Sequence, residues 1–261
     1  MITWLGAVGS WVLSFPRYLF ELTLFIQRAL NPWQSGRLRL NPASLRTLVG
    51  QLIFSGVDAL PVISLLALAS GLAITAPALL TLQGIGDRSE VVELLVRLLV
   101  YELATLLTMV VLLVRTGSAI AVDLGGMKLR RELEALELLG ININRFLVAP
   151  RLLGVALAQM VLSIYFALIA LISGVVFLSL TQHAGYLSYL TDLALALHPY
   201  DLLVFMTKNL LFGLMIAAIA CQHALRVEKS PTELPQQTQK ALIHALSLIF
   251  LLNAVFTLLM T

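Results

Sequence analysis

Charge is scarce in this 261-residue chain: Asp, Glu, Lys and Arg make up 12% of it, about half the share usual in a soluble domain. A soluble fold of this size needs more polar surface than that. Cysteine occurs once, at Cys221, which excludes an intrachain disulfide and any cysteine-based metal cluster and says nothing of redox compartment. The four histidines (His183, His198, His223 and His244) are scattered without metal-ligand spacing, so no metal site is expected. No charge precedes Arg17, so the basic n-region of a cleavable secretory signal is missing.

Other absences narrow the function. No Gly-x-x-x-x-Gly-Lys-[Ser/Thr] loop is present to cradle nucleotide phosphates, so any ATP and Mg belong to another chain. No His-Glu-x-x-His and no nucleophile–base set is evident, so no catalytic residue is assigned. Internal repeats are absent, unlike the repeated halves of many secondary transporters. Basic residues outnumber acidic ones by 17 to 14, yet they sit in blocks between uncharged stretches, which argues against nucleic-acid binding.

Long apolar runs dominate what is there, with hydrophobic residues at 59%. A spanning helix needs roughly 20 apolar residues to cross about 30 Å of hydrocarbon. Five stretches qualify, around 52–80, 93–114, 152–182, 202–225 and 241–260. The expected fold is therefore an all-α integral membrane protein. Arg97 and Glu102 interrupt the second stretch, and Lys208 lies near the start of the fourth. Pro61 and Pro77 fall in the first, where they kink it or mark its ends.

Fourteen of the 17 basic residues lie before the first stretch, between the second and third, or between the fourth and fifth. The positive-inside rule then predicts a cytoplasmic N-terminus and an outside C-terminus. Residues 1–44 are expected to form a separate unit before the membrane-spanning region 45–261. Its aromatic pattern, with Trp4, Trp11, Phe15, Tyr18, Phe20 and Phe25 among polar residues, suits a helix lying in the interface. A sixth span is the competing reading. The stretch Asn31–Pro42 reads as a linker.

The connection from Arg115 to Arg151 is the most informative segment. Residues 128–140 are rich in helix formers and end on Gly140. Leu129, Leu133, Leu136 and Leu139 recur three or four apart, predicting one apolar face. Lys128 with Glu132 and Arg130 with Glu134 are spaced as surface ion pairs. Such a helix is too short and too charged to span. Either its apolar face lies on its own protein or on lipid, or it docks into a groove on a partner.

Arg115-Thr-Gly117-Ser118-Ala, Asp123-Leu-Gly125-Gly-Met127, the run Glu132 to Asn142, and Pro150-Arg151 resemble, in order and spacing, the signature of the MlaE (YrbE-like) permease family. Gln51, Gly56-Val57, Ala59-Leu-Pro61, Gly71 and Gln83-Gly84 in the first stretch resemble it too. The resemblance implies a homodimeric permease of a bacterial ABC transporter in the inner membrane. Such a permease moves phospholipid or a related lipid between membranes. It implies a coupling helix at about 128–140 seated in a cytoplasmic ATPase, through Arg131, Glu132, Leu133, Glu134, Ala135, Leu136, Glu137, Leu139 and Gly140. A periplasmic MCE-domain protein and a small cytoplasmic STAS-type subunit are further implied partners. Another hydrophobic cargo, such as sterol, fits the same machinery.

Two departures stand out. The family's second span commonly reads Arg-Glu-Leu-Gly-Pro, and here Tyr101-Glu-Leu-Ala-Thr105 stands instead. Residues 222–231 replace a glycine-rich turn.

Glu102 matches the family's glutamate. A charge at the bilayer centre costs at least ~2.5 kcal/mol on insertion scales, so it usually faces a cavity or a partner. Glu102 either lines a lipid cavity or gate, with Arg97 and Tyr101 nearby, or makes a structural ion pair or interhelical hydrogen bond. Asp58 is expected to be solvated or to pack between helices, Lys208 to snorkel to the outer headgroups, and Asn253 to hydrogen-bond between helices. Gly71, four residues from Ala67, is a candidate for close helix approach.

Overall fold

Backbone polar groups in hydrocarbon find no water, so a spanning segment must satisfy them within itself, and helix is the simplest solution. Helix is accordingly the only regular structure among the described residues. The computed structural model describes residues 18–30, 42–81, 88–181, 191, 193, 195–227 and 230–260. Within them, five helices are long and apolar enough to cross a membrane. They are Ser44–Thr75, Val92–Leu129, Asn144–Phe177, Pro199–Ala224 and Glu233–Leu258, called here the first to fifth spans.

The first span is broken beside Pro61, as one of its two prolines suggested. Pro42–Ser55 and Leu60–Thr81 are α-helical, joined by a 3₁₀ turn at Val57–Ala59. Pro61 has no N–H to donate to the carbonyl of Val57, and as the second residue of the new helix it needs none. Pro77 lies inside the same helix.

The second span differs from expectation. It does not end near residue 114 but continues as one rod to Leu129, with Arg115 and Asp123 on it. Two π-helical stretches, Arg97–Ala104 and Leu113–Gly117, widen its turns. The third span is entered through another, Asn144–Val148. Pro150 lies beyond it, with one residue between, and cannot donate to the preceding turn, which accounts for the local change of register.

The third span is the centre of the bundle, with the first and fourth packed on either side of it. The fifth closes against the fourth and the second. Lipid tails are as apolar as Leu, so close packing rather than exclusion from water holds spans together, and small residues permit it. At Gly213 of the fourth span a Cβ would stand 2.7 Å from the Cα of Ala156 and from the carbonyl oxygen of Val155. At Gly71 it would stand 2.5 Å from the carbonyl of Ala170, so the close approach suggested there occurs against the third span. Phe166, Phe205 and Phe212 fill the interior, while Leu65, Leu68 and Leu72 of the first span face outward.

Residues 18–30 form a helix that lies against the bundle, with Leu22 and Ala29 buried. The ring of Tyr18 meets that of His244 edge-on at 5.4 Å, and Glu21 pairs with Arg226 at 3.4 Å. Trp4, Trp11 and Phe15, the linker residues up to 41, and Gln83-Gly84 lie outside the described residues.

Candidate functional site

Two groups of functional candidates occupy opposite ends of the bundle. At the end that holds Leu129, Ala224 and Glu233, the chain leaves the second span through Arg130 and Arg131. Arg131 is left-handed, with φ 58°, a conformation that costs a non-glycine residue roughly 1–2 kcal/mol. A separate short helix follows, Glu132–Leu138. It ends at Gly140, φ 76°, with Gly140 N–H donating to Glu137 O (2.9 Å) and Ile141 N–H to Leu136 O (3.0 Å). That pattern is a Schellman cap.

The expected single helix over 128–140 is therefore corrected to a break at Arg130–Arg131 and a helix of seven residues. Side-chain competition explains the change. Lys128 donates its Nζ to the Leu225 carbonyl, and Arg130 pairs with Glu132 at 2.6 Å. Among the described residues, neither of the expected pairs, Lys128–Glu132 or Arg130–Glu134, forms. Hydrogen bonding to the exposed Glu132 also raises the Arg130 pKa. The apolar face is corrected too. Leu133 is buried and Leu136 half-buried, but Leu139 points away at 75% exposure, beside Leu138 at 89%.

The motif residues around this helix serve to fix it. Arg151 Nη2 donates to Asp123 Oδ2 at 2.6 Å, tying the third span to the end of the second. Arg115 lies 3.3 Å from Asp58 and over the ring of Phe54, so Asp58 has the helix-packing role allowed for it. At Gly125 a Cβ would come within 2.5 Å of Leu234 Cδ1, so glycine lets the rod seat against the fifth span without that leucine shifting. A Cβ at Gly117 would lie 3.2 Å from Leu113 Cδ1 and 3.4 Å from Ile216 Cγ2, contacts that small side-chain movements accommodate. Ser118 bonds back to the Val114 carbonyl, and Met127 packs on the core. A pocket of about 440 Å³ beside the short helix is lined by Glu137, Ile141, Asn142 and Leu225 among others.

At the other end, nearer Val92, Pro199 and Leu258, Glu102 gathers donors from two helices. Lys208 of the fourth span approaches Oε1 at 3.4 Å. Asn253 and Thr257 of the fifth donate at 2.8 Å each. The structural reading of Glu102, as an interhelical ion-pair and hydrogen-bond partner, is the one these contacts match. Glu102 also lines a pocket of about 270 Å³ with Arg97 and Tyr101. The π-helical stretch explains why Arg97, five residues earlier, shares that wall, since a wider turn brings residues five apart onto one side. Arg97 itself pairs with Glu93 at 3.4 Å.

Lys208 does not snorkel outward. It is 1% exposed and also donates to the Tyr101 carbonyl at 3.1 Å. A carboxylate presented by a neighbouring helix holds the ammonium inside, since unpaired it would be far costlier there. Asn253 does bridge helices, as expected. The polar seam continues inward: Asn209 donates to Thr105 (3.2 Å), and Gln159 to Asn209 (3.1 Å) and Thr108 (3.0 Å).

Sequence reasoning missed Lys208, Asn209, Gln159 and Thr257 as partners of Glu102 and its neighbours. Glu102, Thr105 and Thr108, three apart in an otherwise apolar stretch, were the available signal. Two of the histidines also prove not to be scattered. His223 Nε2 lies 3.1 Å from His244 Nδ1, and His223 Nδ1 lies 3.1 Å from Gln237 Oε1.

Known proteins resemble this one in sequence over much or all of its length. A probable ABC transporter permease protein of Rickettsia conorii is 24% identical over 252 residues, covering 97% of this chain and 95% of its own. Another of Rickettsia prowazekii is 23% identical over 83% of each chain. A third, of Synechocystis sp., is 26% identical over 58% of each. Residues 48–259 match the family described as Permease MlaE. That match takes in all but the start of the first span, the short helix with its anchors, and the Glu102 seam, and on it the chain belongs to the MlaE family of ABC transporter permeases.

Proposed function

We propose that this permease moves phospholipid or a related lipid between the inner and outer membranes of a bacterium, driven by ATP hydrolysed with Mg on a separate cytoplasmic ATPase. The short helix Glu132–Leu138 is the coupling helix. The observation that carries the reading is its combination of an anchored base and an uncovered tip. Leu133 is buried and Asp123–Arg151 braces the base, while Leu138 and Leu139 are exposed at the end of the bundle that carries Arg130, Arg131 and Arg226. Exposed leucines on a rigid support suit a groove on a partner. The positive-inside rule places this end in the cytoplasm, and with it the N-terminus, leaving the C-terminus in the periplasm.

The outward leucines of the first span are available to a second copy, consistent with a homodimer enclosing the lipid cavity. Glu102, Tyr101 and Arg97 then line that cavity or its gate. A periplasmic MCE-domain protein caps the outer face, and a STAS-type subunit attends the ATPase.

The test is co-purification from native membranes in mild detergent, read by mass spectrometry for protein and lipid together. Wild type is expected to bring an ATPase and lipid. Glu134→Lys/Leu138→Asp/Leu139→Asp is expected to keep the lipid and lose the ATPase. An ATPase that stays bound to this variant would overturn the coupling assignment.

A further inference from the structure

The pocket beside Glu102 adjoins a second one, of about 350 Å³, nearer the end of the bundle that holds Pro199. Arg97, Tyr101 and Asp201 line both. Leu94 and Leu98 supply an apolar wall and are 67% and 42% exposed. Charged groups and an apolar wall thus meet in one cleft, the arrangement an amphiphile needs.

The charges in that cleft are unequally committed. Glu102 is held by Lys208, Asn253 and Thr257. Arg97 has Glu93 at 3.4 Å, both side chains more than half exposed, a weak contact that a phosphate could replace. Asp201, in the first turn of the fourth span, forms no salt bridge among the described residues. Glu93, Glu102 and Asp201 therefore face Arg97 and Lys208, an excess of one negative charge. An anionic headgroup adds a second negative charge beside Asp201. A headgroup that carries an ammonium beside its phosphate is neutral overall, so it adds nothing to that excess and sets its cation against Asp201.

We propose that Arg97 and Asp201 form a headgroup subsite that selects amine-bearing zwitterionic phospholipid over anionic phospholipid, Arg97 taking the phosphate and Asp201 the ammonium. The inference rests on the lipid-permease reading and names its substrate class.

The test places the purified full-length chain in nanodiscs of equimolar phosphatidylethanolamine and phosphatidylglycerol with matched acyl chains. Retained lipid is then counted by native mass spectrometry. Wild type is expected to retain the ethanolamine lipid about fivefold over the glycerol lipid, the ratio one exposed ion pair supports. Asp201→Asn is expected to bring the ratio to about one, and Asp201→Lys to invert it. Arg97→Gln, at an exposed position that tolerates change, is expected to lower retention of both lipids while leaving their ratio in favour of ethanolamine.

Retained lipid without preference, a preference for phosphatidylglycerol, or a ratio unmoved by Asp201→Asn overturns the subsite while leaving the lipid-permease reading standing. Failure of wild type to retain either lipid counts against that reading itself and removes the subsite with it.

Discussion

Lys208 of the fourth span and Glu102 of the second stand 3.4 Å apart with very different surroundings: Lys208 is almost fully buried, whereas the Glu102 side chain keeps 24% exposure to the pocket. Glu102 has two further side-chain donors. Among the described residues, Lys208 has only the Tyr101 carbonyl besides.

That asymmetry sets the first prediction. Glu102→Leu strands a buried ammonium and is expected to cost about 3 kcal/mol. Lys208→Met leaves Glu102 two donors and partial hydration, and is expected to cost about 1 kcal/mol. The double variant should be less destabilised than Glu102→Leu alone. Thermal unfolding of the four proteins in one detergent forms the cycle, and equal costs for the two single variants would refute the asymmetry.

Arg151 and Asp123 make a second case. Arg151 is 7% exposed, and its Nη1 is buried without a partner among the described residues, so the Asp123 bond is its main compensation. Asp123→Asn is expected to lower stability by about 1 kcal/mol and to loosen residues 130–140. Hydrogen exchange should rise there and remain unchanged at Gly213. Exchange confined to Asp123 itself would show that the pair does not brace the loop.

Gly213 and Gly126 give opposite expectations for the same substitution. Gly213→Ala drives a Cβ into the backbone of the third span, at a cost of about 2 kcal/mol. At Gly126 the nearest atom to a Cβ is Arg130 Nη1, 3.4 Å away at the end of a flexible side chain. Gly126→Ala is therefore expected to be neutral or to stabilise by up to about 1 kcal/mol. Paired melting curves decide this, and a neutral Gly213→Ala would contradict the packing of the third and fourth spans.

Tyr18 supplies the pH prediction. Burial pushes its phenol up to about 12 from 10.0, and the nearby Arg226 opposes the shift. Below pH 10 the group is neutral whether the helix 18–30 is docked or not, so its contribution is fully present. Above that the undocked form ionises first, and docking weakens as pH rises from about 10 to about 12. Phenolate absorbance should follow the raised value in wild type. In His244→Ala, which removes the ring packed on Tyr18, it should fall back toward 10. An ordinary titration in wild type would show that the phenol is not buried.

The five spans were legible in the sequence because hydrocarbon leaves a chain little choice: an uncharged run of sufficient length must be a helix that meets its own hydrogen bonds. Residues 128–140 likewise announced a helix by composition and by Gly140. What composition could not place was the break at Arg130–Arg131, because it depends on the Leu225 carbonyl drawing Lys128 from nearly a hundred residues away. Leu139 turns outward because two steps of three residues carry it about 120° around the short helix from the buried Leu133.

The polar seam divides the same way. The sequence by itself determined that Glu102 needed a partner, since an unpaired charge inside the membrane is too costly to keep. It also determined that the chain had neither a phosphate-binding loop nor metal-ligand spacing. Tertiary structure alone decided that the partner is Lys208 rather than Arg97, and that Asn253, Thr257, Asn209 and Gln159 extend the seam. Those residues lie 50 to 155 positions apart in pairing, and only the packing of four helices brings them within hydrogen-bond reach. The physical reason is range: burial and helical period act over a few residues and leave a trace in the sequence, whereas the choice of partner across helices is fixed by which backbones can approach, as at Gly213.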